Sequence, residues 1–241
     1  NKFINKIIVL DDVLKFKYNC DVLVSCQENR NNKNIKLSRP AKIYNSYKYF
    51  PFKKIFLKKS RDRTIVNKTI KTITVFLGGS SYFEENLKIL EFINRYNGKI
   101  KIKLILSNEL TNLKKIKLLN QYSNQIISDD NRISYALIKS DLVICGGGYT
   151  KIESAFLKCP IIIIPIHHHQ INLTKNFSMK FKTINTQLIQ KLSFSSFKEK
   201  IEMANFVYRK NCINKFSKYF SNEKVNRISS IIEKKIIDFN L

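Results

Sequence analysis

Apolar residues in this chain fall into short unbroken runs, separated by longer stretches in which they recur every three or four positions. The short runs are rich in β-branched residues and predict strands covered on both faces, as in a parallel sheet. They are Ile7–Leu10 (IIVL), Asp21–Ser25 (DVLVS), Thr72–Leu77 (TITVFL), Lys101–Leu106 (KIKLIL), Asp141–Cys145 (DLVIC) and Ile161–Ile164 (IIII), with a shorter one at Ile126-Ile127. Helical spacing predicts helices over Phe83–Arg95, with Leu87, Leu90, Glu91 and Asn94 marking the repeat, and over Leu110–Gln121, Ile133–Ile138 and Tyr149–Leu157. Beyond Gln170 the chain reads as mostly helical, ending in a helix over Glu223–Ile237. The polar stretch Gln27–Leu37 predicts a loop. Ile43–Phe56, aromatic and close to Pro40 and Pro51, predicts a connector between domains rather than a regular element. Alternation of this length predicts an α/β fold with a doubly wound, Rossmann-like parallel sheet. Right-handed crossovers then bring every strand's carboxyl end to one edge.

Glycine sharpens that picture. Five of the six glycines lie in two clusters, Gly78-Gly79 and Gly146-Gly147-Gly148, each between a predicted strand and a predicted helix. A strand that turns into a helix through glycine exposes backbone N–H groups where the helix dipole is positive, which suits a phosphate. The competing reading is that the glycines only permit tight turns and close helix–strand packing. Glu153 follows Gly148 by five residues and so stands about one turn inside the helix. A carboxylate there suits the two hydroxyls of a ribose, or simply complements the helix dipole. Thr150 is placed to cap the helix or to donate to phosphate. His167, His168 and His169 are all the histidines of the chain, and Gln170 follows them. Neighbours in an extended loop point opposite ways, so only His167 and His169 share a side, and no carboxylate or cysteine completes a metal site. The loop is better suited to a diphosphate or a sugar, and no metal or cofactor is expected.

The formal charge of +26 first suggests nucleic acid or an anionic membrane. Lysine far outnumbers arginine and is scattered through every element, so nucleic acid is not expected as a partner. The most basic stretch, Lys48 to Arg63, includes Lys53, Lys54, Lys58, Lys59, Arg61 and Arg63. It reads as a solvated linker, or as a peripheral contact with anionic lipid or a lipid-linked acceptor. Five cysteines without C-x-x-C spacing point to reduced thiols, with Cys145 and Cys159 as small core residues. No apolar run reaches the ~18–20 residues of a spanning helix and no signal-peptide pattern is present. A cytoplasmic protein is expected.

The block Asn131–Gln170, NRISYALIKSDLVICGGGYTKIESAFLKCPIIIIPIHHHQ, resembles the carboxy-terminal domain of GT-B nucleotide-sugar enzymes (glycosyltransferase family 28). The matching positions are Ser140 to Ile144, Gly147-Gly148, Thr150, Glu153, Pro160 and Gln170, with Asn172 after it. The earlier segments Ile8–Cys26, Tyr44–Phe56 and Thr74–Ser81 (TVFLGGSS) resemble the pseudaminic-acid pathway UDP-sugar hydrolases and their spore-coat polysaccharide relatives. The resemblance implies a UDP-sugar substrate. Gly78, Gly79, Ser80, Gly146, Gly147, Gly148 and Thr150 would serve the diphosphate, Glu153 the ribose, and His169 and Gln170 the sugar or phosphate. Lys53 stands where the family has a phosphate-contacting arginine, and Lys158 stands for a glycine in the turn before Pro160. The implied reaction is hydrolysis of the sugar–diphosphate bond. The alternative is a GT-B glycosyltransferase, like the lipid-linked GlcNAc transferase, that passes the sugar to an acceptor. A distant alternative is a non-catalytic nucleotide- or RNA-binding module. Residues 1–68 are expected to be the tail of a truncated amino-terminal Rossmann-like domain with its connector, and 69–241 the nucleotide-sugar domain. The family's catalytic histidine would then lie upstream of residue 1.

Overall fold

A run such as Ile161–Ile164 cannot turn all its side chains to one face of a strand, so it forms only where both faces are covered. In the computed structural model all four isoleucines are fully buried. The structure describes residues 7–12, 14, 16–28, 35–59, 67–79, 82–106 and 112–221. The chain divides into two compact units, Asn1–Phe52 with Phe220–Leu241, and Lys53–Tyr219.

In the first unit, β1 (Ile8–Leu10), β3 (Val22–Ser25) and β5 (Lys42–Asn45) form a parallel sheet in the order β1-β3-β5. Beside it β2 (Lys17–Tyr18) pairs with β4 (Lys36–Leu37). Tyr18, Cys20, Leu23 and Ile35 are its buried core. The boundary between the units falls within Ile43–Phe56, but the expectation that this stretch holds no regular element is corrected. The stretch holds β5, a 3-10 helix (Tyr47–Tyr49) capped by Ser46, and the start of α1 (Lys54–Lys59). Likewise β4 lies in the stretch expected to be a loop. The corrections share a cause: elements of two to six residues gain their order from their neighbours, not from their own pattern.

The second unit contains α1, which packs on α4 (Asp130–Ile138). Its sheet has six parallel strands: β6 (Thr72–Phe76), β7 (Lys101–Ile105), β8 (Gln125–Ile127), β9 (Leu142–Gly146), β10 (Ile161–Ile164) and β11 (Ile184–Asn185), in the order β11-β10-β9-β6-β7-β8. The two-residue β11 falls where the sequence reads as mostly helical. Helices α2 (Phe83–Asn97), α3 (Leu113–Tyr122), α4, α5 (Thr150–Phe156) and α6 (Gln170–Phe181) connect the strands, and α7 (Phe194–Met203) and α8 (Phe206–Tyr219) follow. The helix expected over Glu223–Ile237 lies outside the described residues.

Alternate side chains of the strands, such as Ile73, Val75, Leu142, Ile144, Ile162 and Ile164, pack with Ile89, Leu90 and Ile93 of α2 and Phe197 and Ile201 of α7. The buried stripe of α2 is therefore Asn86, Ile89, Leu90 and Ile93, while Glu91 is exposed. Of the expected markers Leu90 is buried and Leu87 packs against the core, whereas Glu91 is exposed and Asn94 only half-buried. On α6 and α8, Phe177, Phe181 and Phe216 form an aromatic cluster, with ring centroids 4.6 to 6.5 Å apart. Helices on both faces make the sheet doubly wound, as the strand–helix alternation predicts. At the opposite edge from the glycines, Asp141 accepts hydrogen bonds from the Lys71 and Thr72 N–H groups and from the Asn67 amide, fixing the entry into β6 and β9.

Candidate nucleotide-sugar site

Strand β6 comes first in its sheet, and the chain adds β7 and β8 on one side before crossing back to place β9 on the other. The order reverses between β6 and β9, which is where open α/β sheets bind ligands, outside the strands' carboxyl ends. The two strands run parallel in register, Val75 beside Ile144 and Phe76 beside Cys145. The turns that follow, Gly78-Gly79 and Gly146 to Gly148, therefore leave the same edge side by side. The loop after β10 joins them, since Ile164 pairs with Gly146.

The five glycines have different reasons. A Cβ on Gly146 would lie 2.0 Å from the Leu77 carbonyl oxygen, and one on Gly147 would lie 2.7 to 2.9 Å from Thr174 and Gln170. Those two are demanded by packing, as the competing sequence reading allowed. Gly78 has φ +141°, a backbone conformation that side chains rarely adopt. Gly79 has nothing within 4 Å of its Cβ position and Gly148 only the Gln170 amide nitrogen at 4.0 Å. Open backbone is thus offered at Gly79 and Gly148. Ser80, also expected here, lies outside the described residues, as do Arg61 and Arg63.

Around these turns the side chains sort by depth. Thr150 is buried and donates to the Gly146 carbonyl, 3.3 Å away, so its hydroxyl closes the turn rather than capping α5. Gln170 is buried, and its Oε1 accepts from the Ile166 N–H at 2.8 Å, which tethers the loop after β10. His167, His168 and His169 are exposed. The rings of His167 and His169 stack with centroids 5.5 Å apart, and the Tyr82 hydroxyl lies 3.1 Å from His167 Nε2. Tyr82 also lies 3.4 Å from the Cβ position of Gly78, so it links two of the three loops. Among the described residues no three potential metal ligands cluster.

Glu153 on α5 is half-buried and its carboxylate makes no hydrogen bond or ion pair among the described residues. Burial pushes its carboxyl up to about 7, helped by the Asp130 carboxylate and opposed by the Lys53 ammonium. Lys53 itself pairs with Asp130 at 2.5 Å on the surface. The sequence reading did not find Asp130, Tyr82 or Lys151. Lys151 is the most informative omission: it is fully buried, and its Nζ donates to the carbonyls of Gly147 and Gly148 at 2.7 and 2.8 Å. Its neighbours Ile152, Ala155 and Phe156 are buried as well, a setting in which lysine must find acceptors.

In the first unit, Asp11 and Asp12 follow β1 and line a cavity of about 210 Å³ with Leu10, Val24, Cys26, Tyr49 and Pro51. Asp11 accepts from the Tyr18 hydroxyl and Asp12 from the Cys26 thiol. All five cysteines are buried, Cys145 and Cys159 in the core as expected. No helix among the described residues is long and apolar enough to cross a membrane.

The fold is that of the Rossmann-like GT-B glycosyltransferases. No family model matches the sequence and no curated protein does, but solved structures match the chain's architecture. MurG of Acinetobacter baumannii superposes with a TM-score of 0.56 at 10% identity, over 88% of this chain and 66% of that one. A TarM variant of S. aureus, in complex with fondaparinux, alpha-GlcNAc-glycerol and UDP, gives 0.57 at 12% identity, over 92% of this chain and 44% of that one. Os79 of O. sativa, in complex with UDP and deoxynivalenol-3-glucoside, gives 0.50 at 13% identity, over 76% and 46%. The chain spans 44 to 66% of the length of these neighbours.

Proposed function

We propose that this chain carries the nucleotide-sugar-binding part of a GT-B glycosyltransferase, with a uridine diphosphate held between the turns after β6 and β9. The observation that carries the reading is the meeting of both glycine turns at the reversal of strand order, with the unpartnered carboxylate of Glu153 on the helix behind one of them. Amides at Gly79 and Gly148 and the Gln170 amide nitrogen serve the diphosphate, Glu153 takes the ribose hydroxyls, and His169 and Lys53 stand at the rim. Transfer to an acceptor, rather than release to water, is supported by the glycosyltransferases among the solved neighbours. Hydrolysis of the kind implied by the resemblance of Ile8–Cys26 is the second outcome of the same assay. The chain is titrated with UDP, GDP and ADP, and UDP-sugar turnover is followed with and without acceptor. Preferential UDP binding is expected, and Glu153→Ala should weaken it by about 1–3 kcal/mol, the loss of hydrogen bonds to a charged group. Indifference to all three nucleotides refutes the site; sugar release that no acceptor changes reassigns the reaction to hydrolysis.

A further inference from the structure

A lysine buried inside a helix needs acceptors for its N–H groups, and Lys151 finds them in the turn that precedes its own helix. Its Nζ binds the Gly147 and Gly148 carbonyls, and the Phe177 ring lies 5.9 Å from the same nitrogen. In a planar trans peptide the N–H points opposite to the C=O. Fixing those two carbonyls on the buried ammonium therefore fixes the N–H groups of Gly148 and Tyr149 on the other side of the turn. Gly148 is where the turn is open. A ligand oxygen bound to those amides would lie on the order of 8 Å from Nζ, by ordinary bond and hydrogen-bond lengths. Lys151 is fully buried, so solvent screens its attraction for an anion less than it would at the surface.

We infer that Lys151 is a positioning residue for the diphosphate of a nucleotide: it locks the Gly147 and Gly148 peptides with their amides turned outward and places its ammonium group behind them. This rests on the nucleotide-sugar reading of the site. The diphosphate, not the nucleoside, is the part of the ligand that Lys151 governs, because the clamp touches only the turn. Lys151→Met keeps length and apolar bulk but removes charge and donors.

The test compares UDP and uridine by calorimetry on the wild-type chain and on Lys151→Met, with urea unfolding as a check of folding. The expected result is at least about a tenfold loss of UDP affinity in the variant, with uridine affinity within about twofold of wild type. Unchanged UDP affinity overturns the inference, and so does an equal loss for UDP and uridine, which marks a merely structural lysine. Should the variant fail to fold, amide NMR of the wild-type chain decides. The Gly148 and Tyr149 N–H signals should then shift most on adding UDP and little on adding uridine, and the reverse overturns the role. A wild-type chain that binds no UDP sinks the site reading and this inference together, an outcome distinct from the others.

Discussion

Replacing Glu153 with glutamine separates its charge from its shape. Burial raises this carboxyl from its ordinary 4.5 to about 7. Each whole step in pKa corresponds to about 1.4 kcal/mol, so the full displacement amounts to about 3 kcal/mol at pH above both values. The side chain is half-buried rather than sealed, and solvent screening reduces this to about 1–2 kcal/mol. The sign follows from proton counting. Between pH 4.5 and about 7 the unfolded chain releases the proton while the folded chain keeps it. Stability contributed by the neutral carboxyl is therefore complete below pH 4.5 and lost as pH rises through about 7. Glu153→Gln has no proton to lose. Measured by urea unfolding, it should gain about 1–2 kcal/mol relative to wild type between about pH 5 and about pH 8. Parallel pH profiles for the two proteins would refute burial as the cause. Binding should run the other way: ribose hydroxyls donate to the ionised form, so wild-type UDP affinity should climb through pH 7. The variant should follow only the phosphate's own ionisation near about pH 6.

Three other substitutions test the architecture. Gly146→Ala forces a methyl to 2.0 Å from the Leu77 carbonyl, so β6 and β9 must part. A loss of about 3 kcal/mol or more by chemical denaturation is expected, and a loss below about 1 kcal/mol would show that the strand ends yield. Lys158 sits at φ +58° just past α5, where the Lys158 and Cys159 N–H groups bond back to the Ala155 and Ser154 carbonyls. Lys158→Gly should stabilise the chain by about 1 kcal/mol, read as a rise in Tm. Phe177→Ala empties a fully buried position in the α6–α8 aromatic cluster and should cost about 3–5 kcal/mol by urea unfolding.

The sequence by itself determined the alternation of strands and helices, the parallel sheet, the side-by-side glycine turns and the position of Glu153 within the first turn of α5, because burial on both faces demands continuous apolar runs and right-handed crossovers leave few ways to arrange them. It marked Lys158 as a substitute for glycine, and the left-handed backbone there is why. Only the tertiary structure decided which glycines are held by packing and which are open, since that depends on the Leu77 carbonyl and the Gln170 side chain, brought in from other strands and loops. It alone built β11 and β4, too short to declare themselves. It alone turned Lys151 inward onto the turn, because a lysine in a helix reads as solvated until the chain folds around it and leaves two carbonyls as its nearest partners.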